Sequence, residues 1–387
     1  MPSAICPVCR EVHDIGPEGV CPHCGGELES FANSDAYLKE MAPKIVEERK
    51  VAGIEGLVGG LEAVIINTEQ DHQRAAVKGL LRTTGHSFAG AFLDHSLRTV
   101  VLSHKSSADI LVRSRQGGGG PFTAYNGALK TRHLPSTRLE TFVFRCRDLE
   151  RYVGIQRERG VQFVQEDLVH TGTHSFIQTV PSTFTGNSIG FVEWHSPARE
   201  WRPDGSDELD WAHEKPDAPH LANIGMLDHT ATRVRARDRD AAIIEFMHLT
   251  DYTFQFAVYV KHLNSITNVA RLLPDDFAMV FTSGISPFSD DHPSGPTEGF
   301  IKNYGTRVHH MAFATERIEN TFDALKADGM GFLLELVGSP DEGLKQTFSE
   351  ASPDTLLVNE YIHRYGDFDG FFSKSNVGLL TAATAKQ

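Results

Sequence analysis

Three residues in the second half of the sequence, two histidines and a glutamate, have the residue types of a metal site. His229, His310 and Glu360 each lie in a short apolar run that has the character of a β-strand. Two imidazoles and a carboxylate brought together on strands form a facial triad, which leaves coordination positions open and suits non-haem Fe(II) used with oxygen. Because strands hold ligands more rigidly than loops do, the sequence predicts an iron site. The alternative is that these are ordinary polar residues near strand ends.

Residues 1–30 contain a second set of ligand types, four cysteines in two Cys-x-x-Cys pairs. Cys6 and Cys9 form the first pair, and Cys21 and Cys24, separated from it by eleven residues, form the second. Four thiolates in tetrahedral geometry favour Zn(II). Two disulfides fit poorly, because a chain without a secretion signal is expected where thiols stay reduced. We therefore predict a zinc ribbon whose metal supplies the stability that so small a segment lacks.

The composition is that of a soluble globular protein with room for two or three domains. The chain has 387 residues, 40% of them hydrophobic and 23% charged, and a domain usually takes roughly 100–200 residues. With 51 acidic and 37 basic residues, the net charge of -14 argues against nucleic-acid and anionic-membrane partners, which require basic patches. A small-molecule partner is expected instead. The sequence shows neither an apolar run of about 18 residues nor a signal peptide, so a cytoplasmic location is predicted.

The elements that must position the ligands form an internal repeat. Residues 144–150 match 313–319 at an offset of 169, and 61–77 match 227–243, more weakly, at an offset of 166. Each half contains two units that read as a strand, a helix and further strands. These units cover residues 61–115, 139–195, 226–283 and 307–362. The pattern predicts an α+β fold of duplicated modules.

The same repeat predicts that only the second half can bind iron. Ala63 and Thr141 stand where the second half has His229 and His310, and a carboxylate near the third place, Glu193, is all that remains in the first half. We therefore expect a structural first domain and a catalytic second domain. The predicted division is a zinc ribbon at 1–30, a helical linker at 31–60, a first domain without metal ligands at 61–200, a linker at 201–225 and an iron-binding domain at 226–387.

Four motifs in the second half resemble one known family. They are Leu-Asp-His at 227–229, Val-His-His-Met-Ala at 308–312, Asn-Glu-Tyr-Ile-His-Arg at 359–364 and Gly-Phe-Phe-Ser-Lys-Ser-Asn at 370–376. The arrangement resembles the vicinal oxygen chelate superfamily, in which tandem βαβββ modules form a cupped sheet around a metal. Within it, the second half is similar to the family of 4-hydroxyphenylpyruvate dioxygenase and hydroxymandelate synthase. The resemblance selects His310, not the adjacent His309, as the second ligand.

The resemblance implies an Fe(II)-dependent dioxygenase that uses O2 to decarboxylate and hydroxylate an aromatic 2-oxo acid or a similar small molecule. It also implies self-association into a homo-oligomer. A C-terminal helix within residues 370–383 would cover the substrate, and Phe371 would pack on an aromatic ring. The candidate pocket residues are Ser265, Thr282, His309, His363, Phe371, Phe372 and Asn376.

Two of these candidates depart from the family pattern. His309 and His363 stand where that pattern has glutamine. Because side chains alternate along a strand, both are expected on the face opposite the ligands, and only a bulge or a strand end would bring them to the pocket. The interval of 50 residues between His310 and Glu360 also leaves no room for an insertion that the family carries. These departures predict iron chemistry on a substrate different from the family's.

Two other functions stay open at the level of sequence. An extradiol dioxygenase, which cleaves a catechol ring, has similar ligands and a similarly short interval between the second histidine and the glutamate. The turn at 370–376 favours the 2-oxo acid over the catechol. In the other alternative, the chain is a metal-binding module without turnover, and the ribbon at 1–30 recruits a partner.

Overall fold

The computed structural model describes residues 3–5, 12–14, 20–25, 29–30, 35–117, 119–290, 294–366, 368 and 370–387. The strands of these residues form three sheets, of three, nine and eight strands. The small sheet and the helix that follows it comprise β1 (Ser3–Ile5), β2 (Val12–Asp14), β3 (Glu29–Ser30) and α1 (Asp35–Ala52). No helix in the described ranges is long and apolar enough to cross a membrane.

The two larger sheets hold the body of the protein. The first half contains β4 (Val58–Asn67), α2 (Gln73–Thr83), β5 (Ser87–Asp94), β6 (Leu97–Ser103), β7 (Asp109–Arg115), β8 (Arg138–Cys146), α3 (Leu149–Glu158), β9 (Val169–His170), β10 (His174–Gln178), β11 (Ser188–Trp194) and β12 (Asp207–Glu208). The second half contains β13 (Ile224–Arg233), α4 (Arg239–Leu249), β14 (Thr253–Val260), β15 (Ser265–Arg271), β16 (Ala278–Ser283), α5 (Gly295–Tyr304), β17 (Arg307–Thr315), α6 (Ile318–Ala327), β18 (Val337–Ser339), β19 (Leu344–Phe348), β20 (Val358–Arg364) and α7 (Lys374–Ala383).

The predicted tandem modules are confirmed, because both sheets are curled half barrels of the same design. The nine-stranded order is β12-β5-β6-β7-β4-β8-β11-β10-β9, and the eight-stranded order is β14-β15-β16-β13-β17-β20-β19-β18. One face of each sheet packs against helices in a continuous apolar core. Ile318, Phe322 and Leu325, which recur at helical spacing, are buried on α6 as that spacing predicts.

The duplication extends to the register of the central strand pair. Ala63 opposes Val143 between β4 and β8, and His229 opposes Ala312 between β13 and β17, at the offsets of 166 and 169 found in the sequence. Both pairs also shift register at equivalent places. The two central pairs are therefore copies of one structural unit, including its irregularities.

The structure corrects the third position of the first half. Gly190, not Glu193, occupies the place of Glu360, because it opposes Val143 as Glu360 opposes Ala312. A Cβ atom on Gly190 would lie 3.1 Å from the Phe176 ring and 3.1 Å from the Thr141 methyl group. The Glu193 carboxylate instead accepts a hydrogen bond from the Leu149 amide, at 3.0 Å. The first half therefore has neither the ligands nor the space for a copy of the triad.

The predicted zinc ribbon is only partly within the described residues. Cys6 and Cys9 lie outside them. Cys21 is buried, its Sγ accepts a hydrogen bond from the His23 amide at 3.4 Å, and Cys24 is exposed. The zinc site therefore stays a prediction.

Candidate metal centre

Three neighbouring strands bring His229, His310 and Glu360 together. On β13 and β17, His229 opposes Ala312 and Ala231 opposes His310. On the parallel pair of β17 and β20, Ala312 opposes Glu360. Because successive side chains on a strand point to opposite faces, this register places the three ligand candidates on one face. The small side chain of Ala312 stands between His229 and Glu360 and leaves the space between them clear.

The ligand atoms converge at the spacing that a facial site requires. Glu360 Oε2 lies 3.1 Å from His229 Nε2 and 3.2 Å from His310 Nε2. One donor atom from each residue lies within 4.8 Å of the other two. Octahedral ligands at about 2.1 Å from a metal are about 3 Å apart when they are adjacent. The donor set and its spacing therefore fit a divalent metal ion in a facial arrangement.

Burial and mutual charge set the protonation of the three groups. Burial lowers the pKa of His229, but the Glu360 and Asp228 carboxylates outweigh it and raise that pKa to about 9. Burial raises the pKa of Glu360, but the two histidines bring it down to about 2. The pKa of His310 is lowered to about 4, chiefly by burial. Without a metal the cluster is thus a buried His229–Glu360 ion pair, whose proton a divalent cation would replace.

A second layer of polar groups orients the ligand candidates. His229 Nδ1 donates to Asp228 Oδ1 at 2.7 Å, and Arg364 Nη1 donates to Asp228 Oδ2 at 2.5 Å. Gln346 Nε2 donates to Glu360 Oε1 at 2.6 Å. Such partners fix the tautomer and the direction of metal ligands. Sequence reasoning assigned no role to Asp228 or Arg364 although both lie in the quoted motifs, and it missed Gln346.

His309 lies beside the site, contrary to its expected position on the opposite strand face. The register moves from Ala231 opposite His310 to Thr232 opposite Val308, so that His309 has no partner on β13. This bulge brings His309 Nδ1 within 2.8 Å of His310 Nδ1. If His310 binds a metal through Nε2, its Nδ1 donates to His309. His309 Nε2 then donates to Gln387 Oε1, at 2.8 Å.

Aromatic rings form the wall beside the ligand candidates. The ring centroids of Phe371 and Phe372, two of the candidate pocket residues, lie 5.4 and 5.2 Å from that of His229. The ring centroid of Phe348, a residue that sequence reasoning missed, lies 4.7 Å from that of His310. The Arg364 guanidinium stands 4.9 Å above the Phe371 ring. The site is therefore shielded by apolar surface on the side of α7.

Ser265 and Thr282 lie at a polar end of the cup, around an arginine that the sequence reasoning missed. Ser265 Oγ and Thr297 Oγ1 are 3.0 Å apart, and Arg233 Nη1 donates to Thr297 Oγ1 at 2.7 Å. Thr282 opposes Arg233 on the parallel pair of β13 and β16. Arg233 follows His229 by four residues on one strand, so the alternation of side chains was a signal that could have found it.

The structure does not bring His363 to the triad, and it gives Asn376 an indirect position. His363 Nδ1 donates to the carbonyl of Thr315 at 2.8 Å, and its ring lies 4.4 Å from that of Tyr365, on the other strand face. Asn376 Nδ2 donates to Gln346 Oε1 at 3.1 Å. Asn376 thus links α7 to Glu360 through Gln346.

Comparisons with known proteins identify the architecture. No family model matches the sequence, and no curated protein matches it. A mutant of 4-hydroxymandelate synthase from Streptomyces coelicolor is similar, with a TM-score of 0.64 and 17% identity over 85% of this chain and 99% of that chain. A xylose isomerase-like TIM barrel/4-hydroxyphenylpyruvate dioxygenase fusion protein is also similar, with a TM-score of 0.61 and 13% identity over 90% of this chain and 58% of the fusion protein. The chain therefore has the two-domain vicinal oxygen chelate fold.

Proposed function

We propose that this protein is a non-haem Fe(II)-dependent dioxygenase in which His229, His310 and Glu360 hold the iron. The observation that carries the proposal is the convergence of both Nε2 atoms on Glu360 Oε2, at 3.1 and 3.2 Å, in a buried setting. Two imidazoles and a carboxylate with open positions beside them are the ligand set of non-haem Fe(II) oxygenases. The fold shared with 4-hydroxymandelate synthase supports this choice.

The proposed substrate is a 2-oxo acid, and the co-substrate is O2. Bound Fe(II) would supply the activation of O2. The substrate loses its carboxylate as CO2, one oxygen atom of O2 completes the new carboxylate, and the other becomes a hydroxyl group on the same molecule. Phe371, Phe372 and Phe348 keep water from the reacting centre. Asp228 and Gln346 hold the ligands in the direction that the metal requires.

The proposal includes a division of labour along the chain. Residues 226–387 form the catalytic domain, and 61–200 form a related domain without metal ligands. The segments predicted as linkers, 31–60 and 201–225, connect these parts, and the second of them also packs on the first sheet through Trp201 and β12. Cys6, Cys9, Cys21 and Cys24 hold a structural Zn(II) in the ribbon at 1–30.

Metal content under anaerobic purification tests this function. We expect one iron in the wild type that is lost in His310→Ala, and one zinc that is lost only in Cys21→Ser. Because each variant removes one ligand of one site, each serves as the control for the other. If His310→Ala keeps all its iron, the triad is not the iron site and the dioxygenase proposal falls.

Oxygen uptake then separates the two enzyme classes. Iron-dependent uptake with 2-oxo acids, accompanied by CO2 release, supports the proposal. Uptake with catechols but not with 2-oxo acids would assign the extradiol reaction instead. A protein that binds iron and turns over neither class would be the non-catalytic module.

A further inference from the structure

A buried arginine, Arg233, lies on the same sheet face as the triad without a paired carboxylate among the described residues. The nearby Glu298 carboxylate acts on its charge only from beyond salt-bridge distance, and its guanidinium lies 5.8 Å from the Phe300 ring centroid. Its side chain is 3% exposed, and its described hydrogen bond runs from Nη1 to Thr297 Oγ1. Its Nε is buried and has no hydrogen-bond partner among the described residues. No carboxylate in the described ranges lies within 4.0 Å of it, whereas the Arg364 guanidinium is paired with Asp228. A buried guanidinium held by one hydroxyl group is costly unless an anion joins it.

A second polar atom without a partner lies beside this guanidinium. Thr282 is 6% exposed and lies directly opposite Arg233 on the neighbouring strand. Both side chains therefore project from the same face of the sheet. Within the described chain, the Thr282 hydroxyl is also buried without a hydrogen-bond partner. Buried polar atoms are nearly always satisfied in folded proteins. Two adjacent exceptions on the metal-facing side of the sheet indicate a place for an acceptor group from outside the chain.

Several other buried arginines also have guanidinium nitrogens without a partner among the described residues, Arg307 at Nε and Nη1 and Arg138 and Arg49 at one nitrogen each. Arg138 donates to the carbonyls of Thr185 and Thr306, and Arg49 donates to three carbonyls that include those of Met247 and Thr250. Each of these guanidinium groups nevertheless donates to at least one backbone carbonyl, which for Arg307 is that of Thr137. Arg233 differs from them in having no carbonyl bond among the described residues.

The distance from the triad to Arg233 suits a small molecule. Arg233 is two residues beyond Ala231, which opposes His310, and two strand residues span about 7 Å. The floor between them is apolar, because Ala231, Val269 and Val280 form one buried cluster.

We infer that Arg233 and Thr282 bind a carboxylate at the far end of the substrate, so that the substrate class is a 2-oxo acid with a second carboxylate group. The inference rests on the proposed function, since the triad must hold the 2-oxo acid end through its metal. Arginine suits the role because its planar donors match a carboxylate in a two-point contact. The hydrocarbon chain that joins the two acid groups of the substrate packs on the short apolar surface between the triad and Arg233.

A matched pair of ligands tests the inference on the wild type. 2-Oxoadipate and 2-oxohexanoate have the same chain length and differ in the terminal group, a carboxylate against a methyl. We expect the iron-loaded protein to bind 2-oxoadipate about 10- to 100-fold more tightly in anaerobic calorimetry, the range expected for a charge-assisted hydrogen bond. Equal binding, or a preference for the neutral tail, would overturn the inference.

Two variants then assign the preference to its residues. Arg233→Met should reduce the ratio of the two affinities to about one, and Thr282→Val, a smaller change, should reduce it several-fold. Thermal unfolding of each variant establishes that it is folded. If folded Thr282→Val and Arg233→Met both keep the wild-type ratio, these residues do not bind the tail. If Arg233→Met does not fold, the wild-type ratio and that of Thr282→Val decide the question.

An experiment on metal-free protein distinguishes failure of this inference from failure of the proposed function. In metal-free protein, glutarate should raise the unfolding temperature of the wild type more than pentanoate does, and Arg233→Met should abolish the difference. If the wild type binds no iron but glutarate still shows this effect, the dioxygenase proposal fails and the carboxylate subsite stands. If iron binds but neither the glutarate effect nor the preference for 2-oxoadipate is seen, only the subsite fails.

Discussion

Asp228 offers the sharpest test of how the site is held, since it joins a ligand candidate to a cation. Its carboxylate accepts from His229 Nδ1 at 2.7 Å and from the two Arg364 amino groups at 2.5 and 3.1 Å. In Asp228→Asn, one oxygen is replaced by an NH2 group that faces donors. Either His229 or Arg364 then loses its acceptor, and the charge that favours the Nδ1–H tautomer of His229 is gone.

The expected loss is in metal affinity. Mutation of such partners typically weakens metal binding about 10- to 100-fold, which is about 1.4 to 2.8 kcal/mol. The Asp228 carboxylate is 12% exposed and makes three contacts. We therefore expect Asp228→Asn to fall in the upper part of that range. Anaerobic titration with Fe(II), or with Co(II) as a spectroscopic substitute, measures the change.

A second aspartate provides the matched control. Asp354 Oδ1 lies 2.9 Å from His72 Nδ1, and both side chains are partly exposed. Asp354→Asn therefore removes an Asp–His contact of the same kind and should leave metal affinity unchanged. If Asp228→Asn binds iron within about twofold of the wild type, then Asp228 does not orient His229 toward a metal, and the reasoning from this geometry is refuted.

Two further predictions concern stability. In metal-free protein, Glu360→Gln should lower the free energy of unfolding by an amount on the order of 2 kcal/mol between pH 4.5 and 6.5. The raised pKa of His229 contributes stability below pH 6.5 that is lost as pH rises through about 9, so urea unfolding at pH 9.5 should show a smaller difference. Arg307→Gln, which removes a buried donor to the Thr137 carbonyl at 2.8 Å, should cost about 1–3 kcal/mol in the same assay. The exposed control Arg82→Gln should cost less than about 0.5 kcal/mol.

The parts of the site that could be predicted from sequence are those that depend on strand periodicity. His229, His310 and Glu360 lie on separate strands of apolar character, and a sheet that brings those strands together places them on one face. The motif around Phe371 likewise indicated an aromatic wall. These features need only local pattern and the order of the strands.

The parts that were missed depend on register and on irregularity. The bulge at His309 places its side chain on the strand face opposite to the one that alternation predicts. No residue type in that strand indicates the bulge. Gly190 replaced Glu193 as the third counterpart only once the pairing of β8 and β11 was known. The role inferred for Arg233 and Thr282 depends on their being neighbours across two strands that are distant in sequence.

The segment predicted as a linker between the halves was also interpreted from composition alone. Its prolines and glycines indicated loop structure, but Trp201 is 8% exposed and its Nε1 donates to Asp109 Oδ2 at 2.7 Å. Trp201 packs in the apolar cluster of the first sheet with Ala63 and Val143, the positions equivalent to His229 and Ala312. The face that carries the triad in the second half is therefore filled by a tryptophan in the first.

The first half has a structural reason to be retained without ligands. Arg138 and Arg307 begin the equivalent strands β8 and β17, and each donates into the other half: Arg138 to the Thr306 carbonyl at 3.0 Å, and Arg307 to the Thr137 carbonyl at 2.8 Å. Thr137 and Thr306 are themselves 169 residues apart, so the contact is reciprocal between the duplicates. Because β17 carries His310 three residues after Arg307, the first half helps to fix the strand that carries this ligand candidate.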